Sequence, residues 1–261
     1  MRPKISIITA TYNSAKTLEQ SLLSVISQGY NNIEYIVIDG GSKDGTLGIL
    51  EKYNSEISYW ISEKDKGIYD AWNKGVEKAT GDWIAFLGSD DFFYPDAIQH
   101  YVDFINKEQI NNTDCLYISS KIEMITEEGR VLRTYGWPWN WEQFRRVNII
   151  AHPGSLQSKY LFEKYGNYDI NYKIVGDYEL LLRPQKSLNA KFINTVTVKM
   201  TVGGASNQLK MFKELKKVII VRGGVSVLRA NFDYYIHITK LYFKNLGLRF
   251  GINLYWKRAH K

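Results

Sequence analysis

The chain has 261 residues, 44% of them hydrophobic and 23% charged, with a formal net charge of +7. That length buries a full core in one large domain, or in one domain with a small appendage, and the positive balance points to an anionic partner such as nucleotide phosphate or anionic lipid. A lone cysteine, Cys115 in the apolar run CLYIS, excludes a disulfide framework and a thiolate metal cluster.

The basic start MRPKISIITATYN reaches polar residues too soon for a secretory signal. No apolar run approaches the roughly 18–20 residues needed to span a bilayer, so a cytoplasmic location is expected, either free or on a membrane surface.

Strand and helix periods alternate through the first half. The short apolar run from Ile5 to Thr9 predicts a first strand, and Leu18, Leu22, Val25 and Ile26 follow at helical spacing. Tyr35 to Ile38 form a second buried strand ending at Asp39. The pattern then gives a helix over Thr46–Tyr53, a strand over Tyr59–Ser62, a helix over Ile68–Thr80 and a strand over Trp83–Leu87. This order predicts an α/β fold with a mostly parallel central sheet and flanking helices.

The second half reads differently. Cys115–Ser119 and Lys121–Ile125 are expected as strands, and Glu128-Gly129 turns into a further strand over Val131–Tyr135. Trp137, Trp139 and Trp141 follow, then a loop with His152-Pro153-Gly154, a helix starting near Tyr178 and a last strand over Phe192–Met200. From about Tyr234 the chain carries Lys240, Lys244, Arg249, Lys257, Arg258 and Lys261 with no acidic residue among them. Its apolar residues Tyr234, Ile238, Leu241, Leu248, Ile252 and Tyr255 fall at helical spacing. A basic aromatic helix of this kind suits an anionic membrane interface; a C-terminal helix packed on the domain reads the same way.

Polar clusters follow the first, second and fourth strands: Thr9-Ala10-Thr11-Tyr12-Asn13, then Asp39-Gly40-Gly41-Ser42, then Gly88-Ser89-Asp90-Asp91. In open α/β sheets, ligands sit beyond the carboxyl ends of the strands. Paired carboxylates there suggest a divalent cation on oxygen ligands, Mn²⁺ or Mg²⁺, bridging to phosphate. Each cluster also reads as an ordinary turn. Neither a GxGxxG fingerprint nor a GxxxxGK[ST] loop is present.

TATYN, IDGGSKDGT, DKGIYDAWNKG and GDWIAFLGSDD, in that order, together with the stretch from His152 to Arg183, resemble the family 2 glycosyltransferases. The resemblance implies a GT-A nucleotide-diphospho-sugar transferase fold and an inverting, metal-dependent hexosyltransferase. Its donor is expected to be a nucleotide-sugar, UDP-linked, and its acceptor a glycan or lipid-linked glycan of surface polysaccharide synthesis at the inner face of the plasma membrane. It places Thr9, Ala10, Thr11, Tyr12, Asn13, Asp39, Lys66, Gly67, Asn73, Ser89 and Asp90 around the nucleotide. Asp91, with Asp90, becomes the metal ligand, and Asp177 the catalytic base.

Gly88 departs from the pattern, since many members carry Asp there, and fewer carboxylates would then hold the metal. Asp177 is also a natural helix N-cap, and Glu179 is the second candidate base. His152, Trp137, Trp139, Gly204 and Ser206 are weaker candidates for donor or acceptor contact, each with a plain structural alternative. The expected organisation is a transferase domain over residues 1–205, with a nucleotide half (1–91) and an acceptor half (92–205), and a helical extension over 206–261. A nucleotidyltransferase on a related fold, or a binding module without activity, are the competing readings. Dispersed basic residues without a recognition motif argue against nucleic acid, and oligomeric state is left open.

Overall fold

The computed structural model describes residues 2–203 and 209–249. The chain begins with β1 (Ile5–Thr11), α1 (Leu18–Ile26), β2 (Ile33–Asp39), α2 (Thr46–Lys52), β3 (Tyr59–Ser62), α3 (Ile68–Lys78) and β4 (Trp83–Gly88). It continues with β5 (Phe92–Phe93), α4 (Ala97–Lys107), β6 (Tyr117–Ile125), β7 (Val131–Tyr135), α5 (Trp141–Phe144), β8 (Leu156–Ser158), α6 (Lys159–Tyr165), α7 (Gly176–Leu182) and β9 (Ala190–Thr201). Two helices close the described chain, α8 (Leu209–Val221) and α9 (Val227–Arg249).

The strands form one sheet in the order β3-β2-β1-β4-β8-β6-β9-β5, with β7 off this path and paired to the second half of β6. From β3 to β4 all pairings are parallel, as the sequence predicts. Beyond β4 the sheet is mixed: β8 runs against both β4 and β6, while β9 lies parallel to β6. The mostly parallel expectation therefore holds for the first half only. The two strands expected around residue 120 are one strand, β6, whose register against β9 shifts between Ser119 and Ile122.

Alternate residues of the central strands enter opposite cores, as the twofold strand period requires. Ile8, Ile36, Ile84 and Phe86 join α3, α6 and α7 in one cluster. Ile7, Val37, Ala85 and Leu87 join α1 and α4 in the other. A strand buried on both faces loses its polar alternation, which is why β4 and the second half of β2 read as apolar runs and β1 as nearly one. Val218, Ile219, Val225 and Ala230 belong to the first cluster, so α8 and the start of α9 pack as part of the core, within the stretch that the sequence suggests is an extension.

The parallel register aligns Thr11 with Asp39, Asp39 with Ser62, and Ala10 with Gly88. β1 has β2 and β3 to one side and β4 to the other, so the strand order reverses between β1 and β4. That reversal is the topological switch point at which open α/β sheets bind ligands.

Of the apolar face expected on α9, the Leu248 side chain, Ile252 and Tyr255 lie outside the described residues. Tyr234, Ile238 and Leu241 are half-buried, and the Lys216 ammonium of α8 lies 4.7 Å from the Tyr234 ring centroid. The exposed side chains are Leu228 (85%), Phe232, Tyr235, Tyr242 and Phe243. No helix among the described residues is long and apolar enough to cross a membrane.

Candidate active site

The carboxyl ends of β1, β2 and β3 form the first wall of the crevice. Asp39 is completely buried, and its carboxylate accepts from the Gly41 and Ser42 amides (3.0 and 2.9 Å), the Ser42 hydroxyl (2.5 Å) and the Ser62 hydroxyl (2.5 Å). Four donors on two oxygens make Asp39 the organiser of its own turn. The Ser42 hydroxyl in turn accepts from the Asn13 amide (2.7 Å), and the Asn13 side chain accepts from the Lys43 amide (2.9 Å), which ties the β1 and β2 loops together. Asn13 takes a left-handed backbone here (φ 49°), a conformation Asn tolerates.

Tyr12 is 63% exposed over this turn. Beside it lies Asp65, which the sequence reading does not single out. A Cβ on Gly40 would sit 3.2 Å from Asp65 Oδ2 and 3.3 Å from the Tyr12 ring, so glycine leaves the ring and the carboxylate side by side. Asp65 Oδ1 pairs with the Lys74 ammonium at 2.5 Å, and its side chain is only 9% exposed. Burial pushes its carboxyl above the usual range, against the pull of Lys74. Its chemical signal was present in the run Lys64-Asp65-Lys66-Gly67, but nothing in the sequence distinguishes it from Asp39.

The remaining nucleotide candidates divide. Lys66 and Gly67 are exposed at the start of α3, where Gly67 has φ 130°, and Ala10 is half-buried at the end of β1. Thr9 lies in the core and accepts from the Tyr35 hydroxyl at 3.2 Å. The Thr11 hydroxyl is buried without a partner among the described residues. Asn73 is a structural clasp: its side chain accepts from the Tyr168 amide and donates to the Tyr168 carbonyl, both at 2.9 Å. Ser89 shares a 2.9 Å hydrogen bond with Ser14.

At the end of β4 the two aspartates converge on Gly88. A Cβ there would lie 2.8 Å from Asp91 Oδ2 and 2.9 Å from Asp90 Oδ1, so glycine lets the two carboxylates close over this position. Asp91 is pinned from the other side by the Thr201 amide (2.9 Å), and the Thr201 hydroxyl donates to the Asp90 carbonyl (2.6 Å). Burial, then the neighbouring Asp90 charge, pushes the Asp91 carboxyl up to about 8. Burial raises Asp90 as well. Among the described residues neither of these desolvated carboxylates has an ion-pair partner, and a hard divalent cation with oxygen preference fits that donor set. No group of three or more His, Cys, Asp or Glu residues able to hold a metal is found among the described residues. The protein thus offers a half-site whose remaining ligands would be phosphate oxygens and water.

Asp177 lies in the first turn of α7. The N-cap is Val175, without a side-chain cap, so Asp177 is not used to cap the helix. Its Oδ1 lies 3.0 Å from the Tyr69 hydroxyl, in the first turn of α3, whose single hydrogen is shared with the Ile174 carbonyl (2.8 Å). This contact ties Asp177 to the start of α3, which follows Lys66 in the chain. Glu179 faces away, fully buried, with Arg183 at 2.6 Å and Arg222 at 2.7 Å; its role is to fasten α7 to the end of α8.

His152 is a core residue, stacked against Trp72 (4.9 Å) and Phe86 (5.5 Å). Its Nε2 lies 2.9 Å from the Gln157 amide nitrogen and 3.3 Å from the Tyr168 hydroxyl. Burial lowers its pKa, the nearby Asp177 charge opposing. Trp137, Trp139 and Trp141 are half-buried against the first core cluster, with Trp139 lying 4.5 Å from Phe144. Gly204 and Ser206 lie outside the described residues.

Comparison with known proteins agrees with this geometry. The model of the family described as "Glycosyl transferase family 2" matches residues 6–158. An uncharacterized glycosyltransferase of Mycobacterium tuberculosis is 32% identical over 185 residues, 69% of this chain and 68% of that protein. A "PGL/p-HBAD biosynthesis glycosyltransferase" of Mycobacterium bovis is 28% identical over 223 residues, 83% of this chain and 84% of that protein.

Among solved structures, S. aureus TarS 1-349 in complex with UDP superposes with a TM-score of 0.68 at 17% identity, over 96% of this chain and 76% of that one. Against the longer TarS chain, this chain spans 42% of its length. A Pyrobaculum calidifontis mannosyltransferase in complex with GDP-Man and Mn²⁺ gives 0.66 at 17% identity, over 88% and 69%. The sheet order, the switch point with its paired carboxylates and these likenesses agree, and the chain belongs to glycosyl transferase family 2, with the GT-A fold.

Proposed function

We propose that the protein is an inverting, metal-dependent hexosyltransferase. It moves a hexose or N-acetylhexosamine from a nucleotide-sugar, UDP-linked, to a hydroxyl of a lipid-linked glycan in surface polysaccharide synthesis. The observation that carries the reading is the convergence of Asp90 and Asp91 on Gly88 at the switch point. A structure of TarS bound to UDP-GlcNAc is among the likenesses, which supports a UDP-linked donor, and the mannosyltransferase bound to Mn²⁺ supports a divalent cofactor, Mn²⁺ or Mg²⁺.

Asp90 and Asp91 would hold the cation. When bound, it supplies positive charge to the departing diphosphate. Tyr12 offers an exposed ring for the base to stack on, and Asp65 offers a carboxylate that can accept a base N–H; together they would orient the donor. Asp177 accepts the proton of the acceptor hydroxyl as that oxygen bonds to the anomeric carbon and the bond to the diphosphate breaks. A single displacement with one base inverts the anomeric centre. Tyr69, donating to Asp177, would keep the carboxylate aimed at the acceptor.

The lipid-linked acceptor places the enzyme at the inner face of the plasma membrane, as a peripheral protein. The exposed aromatic face of α9 and the absence of any acidic residue after Asp233 support an anionic lipid surface there.

Asp177→Asn tests the central step. Nucleotide release from UDP-N-acetylglucosamine or GDP-mannose should fall about a hundredfold or more, while nucleotide affinity measured by calorimetry stays within about twofold. A variant that keeps its rate removes Asp177 as the base.

A further inference from the structure

We infer that α8 belongs to the catalytic apparatus, through Glu214 as a positioning residue for Asp177. The inference rests on Asp177 being the base. The Glu214 carboxylate accepts hydrogen bonds from successive backbone amides of the loop leading into α7: Lys173 (3.0 and 3.2 Å), Ile174 (2.9 Å) and Val175 (3.2 Å). Consecutive amides turned toward one point form a concave anion nest, and charge-assisted bonds of this type are stronger than neutral ones. Here the anion is a side chain from a helix some forty residues further along the chain.

The same loop is fixed from its other side. The Ile174 carbonyl accepts from the Tyr69 hydroxyl (2.8 Å), so this residue is gripped at its amide by α8 and at its carbonyl by α3. Gly176 lies against the Tyr69 ring so closely that a Cβ would come within 2.8–2.9 Å of its carbons. The Lys173 ammonium crosses to the donor side and donates to the Lys66 carbonyl (3.0 Å) and the Ile170 carbonyl (2.8 Å). Lys173 thus has its amide on α8 and its side chain on the loop that starts α3. Asp177 follows two residues after the last amide that Glu214 holds. Its position relative to Lys66 and Tyr69 is therefore set by a contact from α8, and a displacement near 1 Å of a catalytic group costs on the order of a hundredfold in rate.

Arg222 makes the same connection one step further along. It follows α8 and binds the buried Glu179 carboxylate at 2.7 Å, so α8 is attached both before and after Asp177. Nothing in the sequence marks Glu214, which lies in the lysine-rich stretch LKMFKELKK.

The test compares Glu214→Gln, Glu214→Asp and Asp177→Asn with the wild-type chain. An amide at residue 214 turns an N–H group toward the amides of 173–175, whereas Asp keeps the charge on a shorter arm. Hydrogen exchange of the 170–177 segment needs no donor: Glu214→Gln should speed exchange there about tenfold or more, with α1 and β1–β4 unchanged. With whichever of UDP-N-acetylglucosamine and GDP-mannose the wild type turns over, kcat should fall about tenfold or more at an unchanged donor KM, and Glu214→Asp should recover part of the loss.

Unchanged exchange in Glu214→Gln overturns the inference, as does wild-type kcat despite faster exchange. So does an equal loss of nucleotide affinity and thermal midpoint, which would mark Glu214 as a general fold contact. If Asp177→Asn keeps its rate, the base assignment fails instead, and the exchange result still reports separately whether Glu214 orders the loop.

Discussion

A carboxyl group buried like that of Asp91 keeps its proton near neutral pH unless a cation takes the proton's place. Its folded pKa of about 8 lies above the ordinary value of 3.8. Between those values the native state binds more protons than the unfolded chain, so stability falls as pH rises through the window. His152 works the other way: its lowered pKa makes stability rise with pH, but only up to the ordinary His value of about 6.5. In chelator, the decline between about pH 6.5 and 8 therefore belongs to Asp91, with Asp90 and Asp65, whose carboxyls burial also raises, acting in the same direction. Asp91→Asn, which keeps an acceptor for the Thr201 amide, should flatten that decline in denaturant titrations, and Mn²⁺ should flatten it in the wild type. An undiminished slope in the variant would contradict the assigned burial of Asp91.

Residue types put forward the aspartates of the candidate site, but not the contacts that hold them. Asp39 and Asp65 are both acids near strand ends, and only the register that brings Ser62 beside Asp39 shows that Asp39 Oδ2 is filled by three donors, while Oδ1 accepts from the Ser42 hydroxyl alone. Asn73 and His152 fit a polar site on paper; the Tyr168 backbone and the Trp72–Phe86 stack claim them. Gly88 leaves one carboxylate fewer at this place, and the ends of Asp90 and Asp91 lie over the space a side chain would take.

At the scale of elements, β1, β2 and β4 were legible because strands buried on both faces are dominated by apolar residues rather than alternating. β8 has three residues, too short to show any period, and it is this strand that turns the sheet from parallel to mixed. The α4 and α6 helices were not separated from their polar surroundings, although α4 buries Ile98, Tyr101, Val102 and Ile105 along one side. α9 was legible as a helix but not in its orientation, since which apolar stripe turns outward depends on α8. Phe232 and Tyr235 face out next to Leu228. Replacing both with Ser should release the protein from phosphatidylglycerol-rich vesicles by about tenfold or more in partition coefficient, with nucleotide binding unchanged. Equal partition would leave the aromatic face without a lipid role.

For the molecule as a whole, the order of strands and helices in the first half was enough to place a binding crevice at the ends of β1 and β4. The reach of the core was not foreseeable. Helices that read as an appendage supply Val218, Ile219, Val225 and Ala230 to the first cluster and Glu214 to the loop before Asp177. Long-range contacts of this kind leave no periodic trace in the chain.

The central claim is a cation-dependent nucleotide site at the switch point. Calorimetric titration of UDP, GDP and dTDP into the protein, first with Mn²⁺ and then with chelator, tests it most directly. Binding of one nucleotide that is about tenfold or more tighter with Mn²⁺, with the difference lost in Asp91→Ala, is the expected result. Binding indifferent to metal, or no binding by any of the three, would contradict the account.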